Sequence, residues 1–206
     1  SINVDSESWT NVKAKNVSAY AKSKTLAERA AWDFINAQTD ATPMELSVVN
    51  PGPVFGPTLT GDLSGASMGM FKQMMSGKMP MVPQAAINMS DVRDIAKIHA
   101  LALENEKANG KRFIVTTEEP FAFQEVAKIL KSNGYDKVST RLAPNFLLNF
   151  IGNFDREAKS MRSFIGKTYN GDVSLTMKTF DWNPIPFKKT VLDTAKSIES
   201  YLNKVD

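Results

Sequence analysis

Apolar residues recur at helical spacing between Ala19 and Thr39, at Ala19, Leu26, Ala27, Ala30, Ala31, Phe34 and Ile35. That spacing, with abundant Ala, Glu, Lys and Arg, predicts a helix over 19–39 with Ser18 as its N-cap. Pro43 interrupts the pattern, and Glu45 to Asn50 (ELSVVN) reads as a short buried strand. The next residues, Pro51-Gly52-Pro53-Val54-Phe55-Gly56-Pro57, neither continue a sheet nor start a helix. A second helix is predicted to begin at Asp91, capped by Ser90 or Asp91. Val92, Ile95, Ala96, His99 and Leu103 share one of its faces, and Gly110 follows its end. Arg112 to Thr116 (RFIVT) reads as another strand. The alternation of strand, helix and strand from Glu45 to Thr116 predicts a parallel α/β sheet.

The remaining segments are less regular. Thr58 to Met89 holds seven of the ten methionines and a short predicted helix at Ser67 to Met75. Methionine adapts to irregular space, which suits both a loosely packed core edge and a substrate-facing flap. Beyond Pro120, helices are predicted at Phe123 to Ser132, at Pro144 to Phe154 and at Thr190 to Asn203, with a small strand at Lys137 to Thr140. The division expected is an α/β part in three sections: 1–57, a flap at 58–89 and a return to the sheet at 90–118. A smaller mixed lobe follows at 119–206.

Composition narrows the functions available. The chain is 206 residues long, 42% hydrophobic and 23% charged, as globular proteins are. Its net charge is +3, with basic residues scattered rather than gathered into a stripe, which argues against a nucleic-acid partner. Without cysteine the chain offers no disulfide, thiolate nucleophile or thiolate metal ligand, and its one histidine, His99, argues against a zinc site. His99 itself is expected to be a packed residue on the apolar face of its helix. No apolar run reaches about 18 residues, and the polar, acidic start does not read as a secretion signal. The expected setting is the cytoplasm, with no membrane partner.

Two side chains stand out for chemistry. Tyr20 and Lys24 lie four residues apart in the first predicted helix, so both leave the same face one turn apart. An ammonium beside a phenol favours the phenolate, and such a pair can move a proton onto or off a carbonyl oxygen. The same spacing also arises as an ordinary surface pair. The surrounding residues decide between these readings. Tyr20-Ala21-Lys22-Ser23-Lys24-Thr25-Leu26-Ala27-Glu28 resembles the Y-x-x-S-K-x-x-x-E helix of the extended short-chain dehydrogenase/reductase family. Asn50 to Pro57 resembles that family's nicotinamide loop, and Met89-Ser90-Asp91-Val92-Arg93-Asp94-Ile95-Ala96 its D-V-R-D-x-A segment. Glu7-Ser8-Trp9, Ala30-Ala31-Trp32 and Asp181-Trp182-Asn183-Pro184 are similar to the dihydroflavonol 4-reductase-like subgroup, which includes aldehyde reductases.

The resemblance implies the C-terminal part of a Rossmann-type parallel sheet with a small substrate lobe. It implies a reductase of aldehydes or ketones that uses NADPH in preference to NADH. Tyr20 would be the proton donor and Lys24 would hold the nicotinamide ribose. Pro51, Gly52 and Val54 would line the nicotinamide, while Met68, Phe71, Met74 and Met75 would border the carbonyl substrate. Arg93 and Asp94 would be structural. The family's glycine-rich turn, G-x-G-x-x-G, does not occur in the chain, nor does an upstream catalytic serine or threonine. The expectation is therefore a fragment without its N-terminal half, inactive by itself. Such a fragment could associate through an exposed sheet edge or with the missing half. Two other readings compete. One is a non-catalytic member that senses nucleotide or binds a protein. The other is a serine hydrolase using Ser67 in Gly65-Ala66-Ser67-Met68-Gly69, followed by Asp91 or Asp94 and His99.

Overall fold

A computed structural model describes residues 2–15, 17–144 and 168–202. After a short strand β1 (Ile2–Val4), helix α1 (Ala19–Asn36) begins where Ser18 Oγ accepts a hydrogen bond from the Ala21 N–H at 3.1 Å. The helix ends before the predicted Thr39. Strand β2 (Ser47–Pro51) follows, then β3 (Val54–Phe55), α2 (Ala66–Met75), β4 (Val82–Pro83), β5 (Ala86–Ile87) and β6 (Ser90–Asp91). Helix α3 (Val92–Glu104) returns the chain to β7 (Lys111–Val115). The later elements are β8 (Phe121–Ala122), α4 (Phe123–Lys131), β9 (Leu142–Ala143), β10 (Tyr169–Gly171), α5 (Ser174–Phe180) and α6 (Phe187–Leu202).

The parallel character holds. Strands β2 and β7 run parallel with Val49 opposite Phe113 and Pro51 opposite Val115, so both carboxyl ends lie at one edge. Three further pairs, β1 with β10, β3 with β6 and β4 with β9, are also parallel, and β5 with β8 is antiparallel. The run Phe113-Ile114-Val115 is buried throughout, as a parallel strand covered on both faces requires. The fold is α/β with parallel strand pairs. Among the described residues no helix is long and apolar enough to cross a membrane.

Among the described residues two apolar cores form. The first joins α2, α4 and α6 around Phe71, Met74, Phe123, Val126, Leu130, Val191 and Ile198, so residues of 58–89 and of 119–206 share one interior. Here the expectation for the substrate border needs correction. Phe71 and Met74 are 0% and 1% exposed, and the Phe71 ring packs 5.3 Å from that of Phe55, so neither presents surface to a ligand. Met68 and Met75 are partly buried against the same core. The second core joins α3, β7 and α5 through Ile98, Phe113, Val115, Phe180 and Trp182.

Helix α3 turns a different face inward from the one predicted. Of the predicted face Ile95 packs against the second core, but Val92, Ala96, His99 and Leu103 face outward, Leu103 at 90% exposure, while Asp94 and Ile98 are buried with Leu101 and Ala102 beside them. The cause is Asp94, whose carboxylate accepts hydrogen bonds from Trp182 Nε1 at 3.0 Å and the Ile185 N–H at 2.8 Å. A paired carboxylate can enter an interior that an unpaired one cannot. His99 is exposed rather than packed, its Nδ1 lying 2.8 Å from Ile95 O of its own helix.

Smaller differences follow from pairing. No strand forms at 137–140; Leu142–Ala143 pairs with Val82–Pro83 instead. A short 3₁₀ turn at Glu106–Ala108 separates α3 from Gly110. Helix α6 starts at Phe187, ahead of the predicted Thr190. Of the helix predicted at Pro144 to Phe154, residues 145–154 lie outside the described residues.

Candidate active site

Helix α1 carries Tyr20 and Lys24 on its outward side. The Lys24 Nζ lies 5.7 Å from the centre of the Tyr20 ring, and Tyr20 is 71% exposed. Neither the phenol nor the ammonium is hydrogen-bonded within the described residues, so both polar groups are free for a ligand. Ser23, between them, donates its hydroxyl to Tyr20 O at 2.8 Å and stays with the backbone.

The loop after β2 is held from within. The Gly52 N–H donates to Ser90 Oγ at 2.8 Å, and Ser90 Oγ donates in turn to Val115 O at 2.6 Å. Thr116 Oγ1 donates to Met89 O, and Asn88 Nδ2 reaches Thr117 O and Glu118 O. A Cβ built on Gly52 would stand 2.3 Å from Asn88 O and 2.9 Å from Thr116 Oγ1. Glycine at 52 therefore answers to this close packing, and its N–H is already in use. Pro51 is exposed and Val54 half-buried, and no hydrogen bond joins the loop to Tyr20 or Lys24 within the described residues. Gly56, at φ +122°, lies in the left-handed region, and its N–H donates to Thr194 Oγ1 of α6 at 2.7 Å.

The D-V-R-D segment is a structural joint. Asp91 caps α3 by accepting from the Arg93 N–H at 2.9 Å and takes a further bond from Thr190 Oγ1 at 2.8 Å. The Arg93 guanidinium bridges Asp91 and Asp193, each at 2.7 Å. Burial pushes the Asp91 carboxyl upward, but the hydrogen bonds from Arg93 and Thr190 and the Arg93 charge outweigh it and hold the group below the usual carboxylate range. Hydrogen bonding to Asp91 raises the Arg93 guanidinium further. A cleft beside this joint, lined by Ser90, Asp91, Asp94, Thr116 and Trp182, contains neither Tyr20 nor Lys24.

The hydrolase geometry is absent. Ser67 is the second residue of α2, far along the chain from the end of β3, and not on a strand-to-helix turn. His99 bonds its own helix, and Asp91 and Asp94 are committed to the joint. The sequence reading missed Arg112, which appeared only as the start of a strand. A charged residue leading directly into the apolar run Phe113-Ile114-Val115 was the available signal.

A dinucleotide finds a partial fit. The nicotinamide ribose end would meet the free phenol and ammonium of α1. The pyrophosphate end has no glycine-rich turn to meet in this chain.

No protein-family model matches the chain. Among curated proteins, it is 33% identical over 130 residues to the NADPH-dependent methylglyoxal reductase GRE2 of Saccharomyces cerevisiae, covering 61% of this chain and 38% of that protein. The ketoreductase azaE of Aspergillus niger is 30% identical over 173 residues, covering 80% of this chain and 50% of that protein. The crystal structure of Gre2 from Candida albicans in complex with NADPH superposes with a TM-score of 0.72 at 25% identity, over 97% of this chain and 58% of that one. The chain thus spans about half the length of the relatives it matches, or less.

Proposed function

We propose that the chain is part of a member of the extended short-chain dehydrogenase/reductase family and forms the catalytic helix and substrate lobe of a cytoplasmic NADPH-dependent reductase of aldehydes or ketones. The observation that carries this reading is the free, adjacent Tyr20 and Lys24 on the outward side of α1. NADPH, when bound, supplies the hydride. Tyr20 hydrogen-bonds the substrate carbonyl oxygen and gives it a proton as charge develops there. Lys24 donates hydrogen bonds to the ribose hydroxyls and stabilises the phenolate left behind. Pro51, Gly52 and Val54 border the nicotinamide by shape, since the Gly52 N–H is engaged with Ser90. Met68 and Met75 border a moderately hydrophobic carbonyl compound, with Phe71 and Met74 as the packed layer beneath them.

Helix α1 leaves Leu26 and Phe34 53% and 59% exposed, and among the described residues β2 is bonded to β7 alone. These surfaces suit cover by a nucleotide-binding half that brings the glycine-rich turn. The test is Tyr20→Phe in the full-length reductase, assayed by NADPH oxidation with methylglyoxal or another small aldehyde. Loss of about 10²–10⁴ in kcat is expected for removal of a general acid. Near-unchanged reduction would refute the assignment.

A further inference from the structure

We propose that Arg112, Glu28 and Trp9 form a clamp that sets the position of α1, and with it Tyr20 and Lys24; this rests on reading that pair as the proton-transfer site. Among the described residues helix α1 has little else to fix it, since Thr25 is its one buried residue. Glu28 follows Lys24 by one turn, on a neighbouring part of the helix surface. From β7, the Arg112 guanidinium reaches both Glu28 carboxylate oxygens, Nε to Oε1 at 2.6 Å and Nη2 to Oε2 at 3.2 Å. The remaining nitrogen, Nη1, donates to the backbone carbonyls of Ser6 at 2.6 Å and Ser8 at 2.9 Å. One side chain therefore joins a strand, a helix and the loop between β1 and α1.

Trp9 closes the arrangement. Its ring has the Arg112 guanidinium 4.0 Å from its centre and that of Arg29, on α1, at 5.2 Å. Trp32 Nε1 adds a donor to Glu28 Oε1 at 3.3 Å. The Arg112 and Glu28 side chains are 14% and 16% exposed, which shields the pair from water and salt more than a surface pair. Planar, two-pronged bonding fixes orientation as well as distance, which an ammonium cannot do. Arg112 and Glu28 are positioning residues: they bond each other and backbone carbonyls, not the Tyr20 or Lys24 side chains, and decide where α1 lies relative to β7.

The test uses the 206-residue chain without cofactor. Hydrogen exchange of the α1 amides would be followed in Glu28→Gln and Arg112→Lys, with α6 amides as the internal reference. Biosynthetic 3-fluorotyrosine gives each tyrosine a fluorine resonance, and Tyr20→Phe assigns the one from Tyr20. Both variants should speed exchange along α1 roughly tenfold and shift or broaden the Tyr20 resonance while leaving α6 exchange unchanged. Unchanged α1 exchange in both variants, or an equal rise in α1 and α6, would overturn the clamp. If Glu28→Gln does not fold, Trp9→Leu removes the ring that both guanidinium groups approach and is read in the same way. Because no readout needs a turnover, the clamp and the catalytic assignment fail separately: only retained reduction by Tyr20→Phe removes the latter.

Discussion

Two regions of this molecule are built on opposite terms. Around α2, α4 and α6 the side chains interlock, with Phe71, Val126, Leu130, Val191 and Ile198 all without exposure. Along α1 an 18-residue helix buries only Thr25 and turns Tyr20, Leu26 and Phe34 outward. The first region is held by area removed from water. The second is held by directed bonds at one point, from Arg112 to Glu28. Apolar burial gives rigidity without specifying which polar group points where, whereas a two-pronged ion pair orients a helix while leaving its outer surface free. A helix carrying the proposed proton-transfer pair needs that freedom.

The contrast is sharpest for one substitution made in both places. Phe71→Ala should lower unfolding stability by about 3–5 kcal/mol through the cavity it leaves, as read from denaturant midpoints. Phe34→Ala, the same loss of atoms on the open face of α1, should change it by less than about 0.5 kcal/mol. A large effect at Phe34 would show that its face is covered in solution. Between these extremes, Gly52→Ala should cost about 1–3 kcal/mol, because its Cβ would meet the Asn88 carbonyl, which is backbone and cannot swing aside. The same denaturant titration measures it.

The joint at Asp91 adds a pH-dependent contribution to the packed side. The carboxyl's pKa is lowered in the folded chain, so its stabilisation is present above the unfolded value near 3.8 and is lost as pH falls through the folded one. Asp91→Asn should therefore cost about 1–2 kcal/mol at pH 7. Its deficit against the unmodified chain should shrink as the pH is taken below about 4. A deficit that stays constant down to low pH would mean that Asp91 contributes by shape rather than by charge.

Much of this organisation could be read from the chain itself. The start of α1 at its Ser18 cap and the Asp91 cap depend on neighbours in sequence, and the parallel β2–β7 pair, 64 residues apart, follows from the alternation of strand, helix and strand. The inward face of α3 did not. The apolar positions from Val92 to Leu103 suggested one stripe, but Asp94 finds Trp182 and Ile185 some ninety residues away, and that partnership decides the rotation of the helix. The methionine-rich segment was open to two readings for a similar reason, because whether Phe71 and Met74 face a ligand or a core depends on α4 and α6. The Tyr20–Lys24 pair was legible as a motif, while its anchor was not: Arg112 lies 84 residues from Glu28 and belongs to no local pattern.

The pairing of β1 with β10 bears on how the chain reaches its folded state. Asn3 and Asn170, which are hydrogen-bonded at 3.1 Å, are separated by 167 residues. Closing so long a loop carries an entropy cost that no nearby contact offsets, and parallel pairing of distant strands slows folding. During synthesis Gly171 leaves the ribosome 167 residues after its partner Val4, and β1 stays unpaired with β10 until then. Among the described strand pairings this least local one is thus the last that can form.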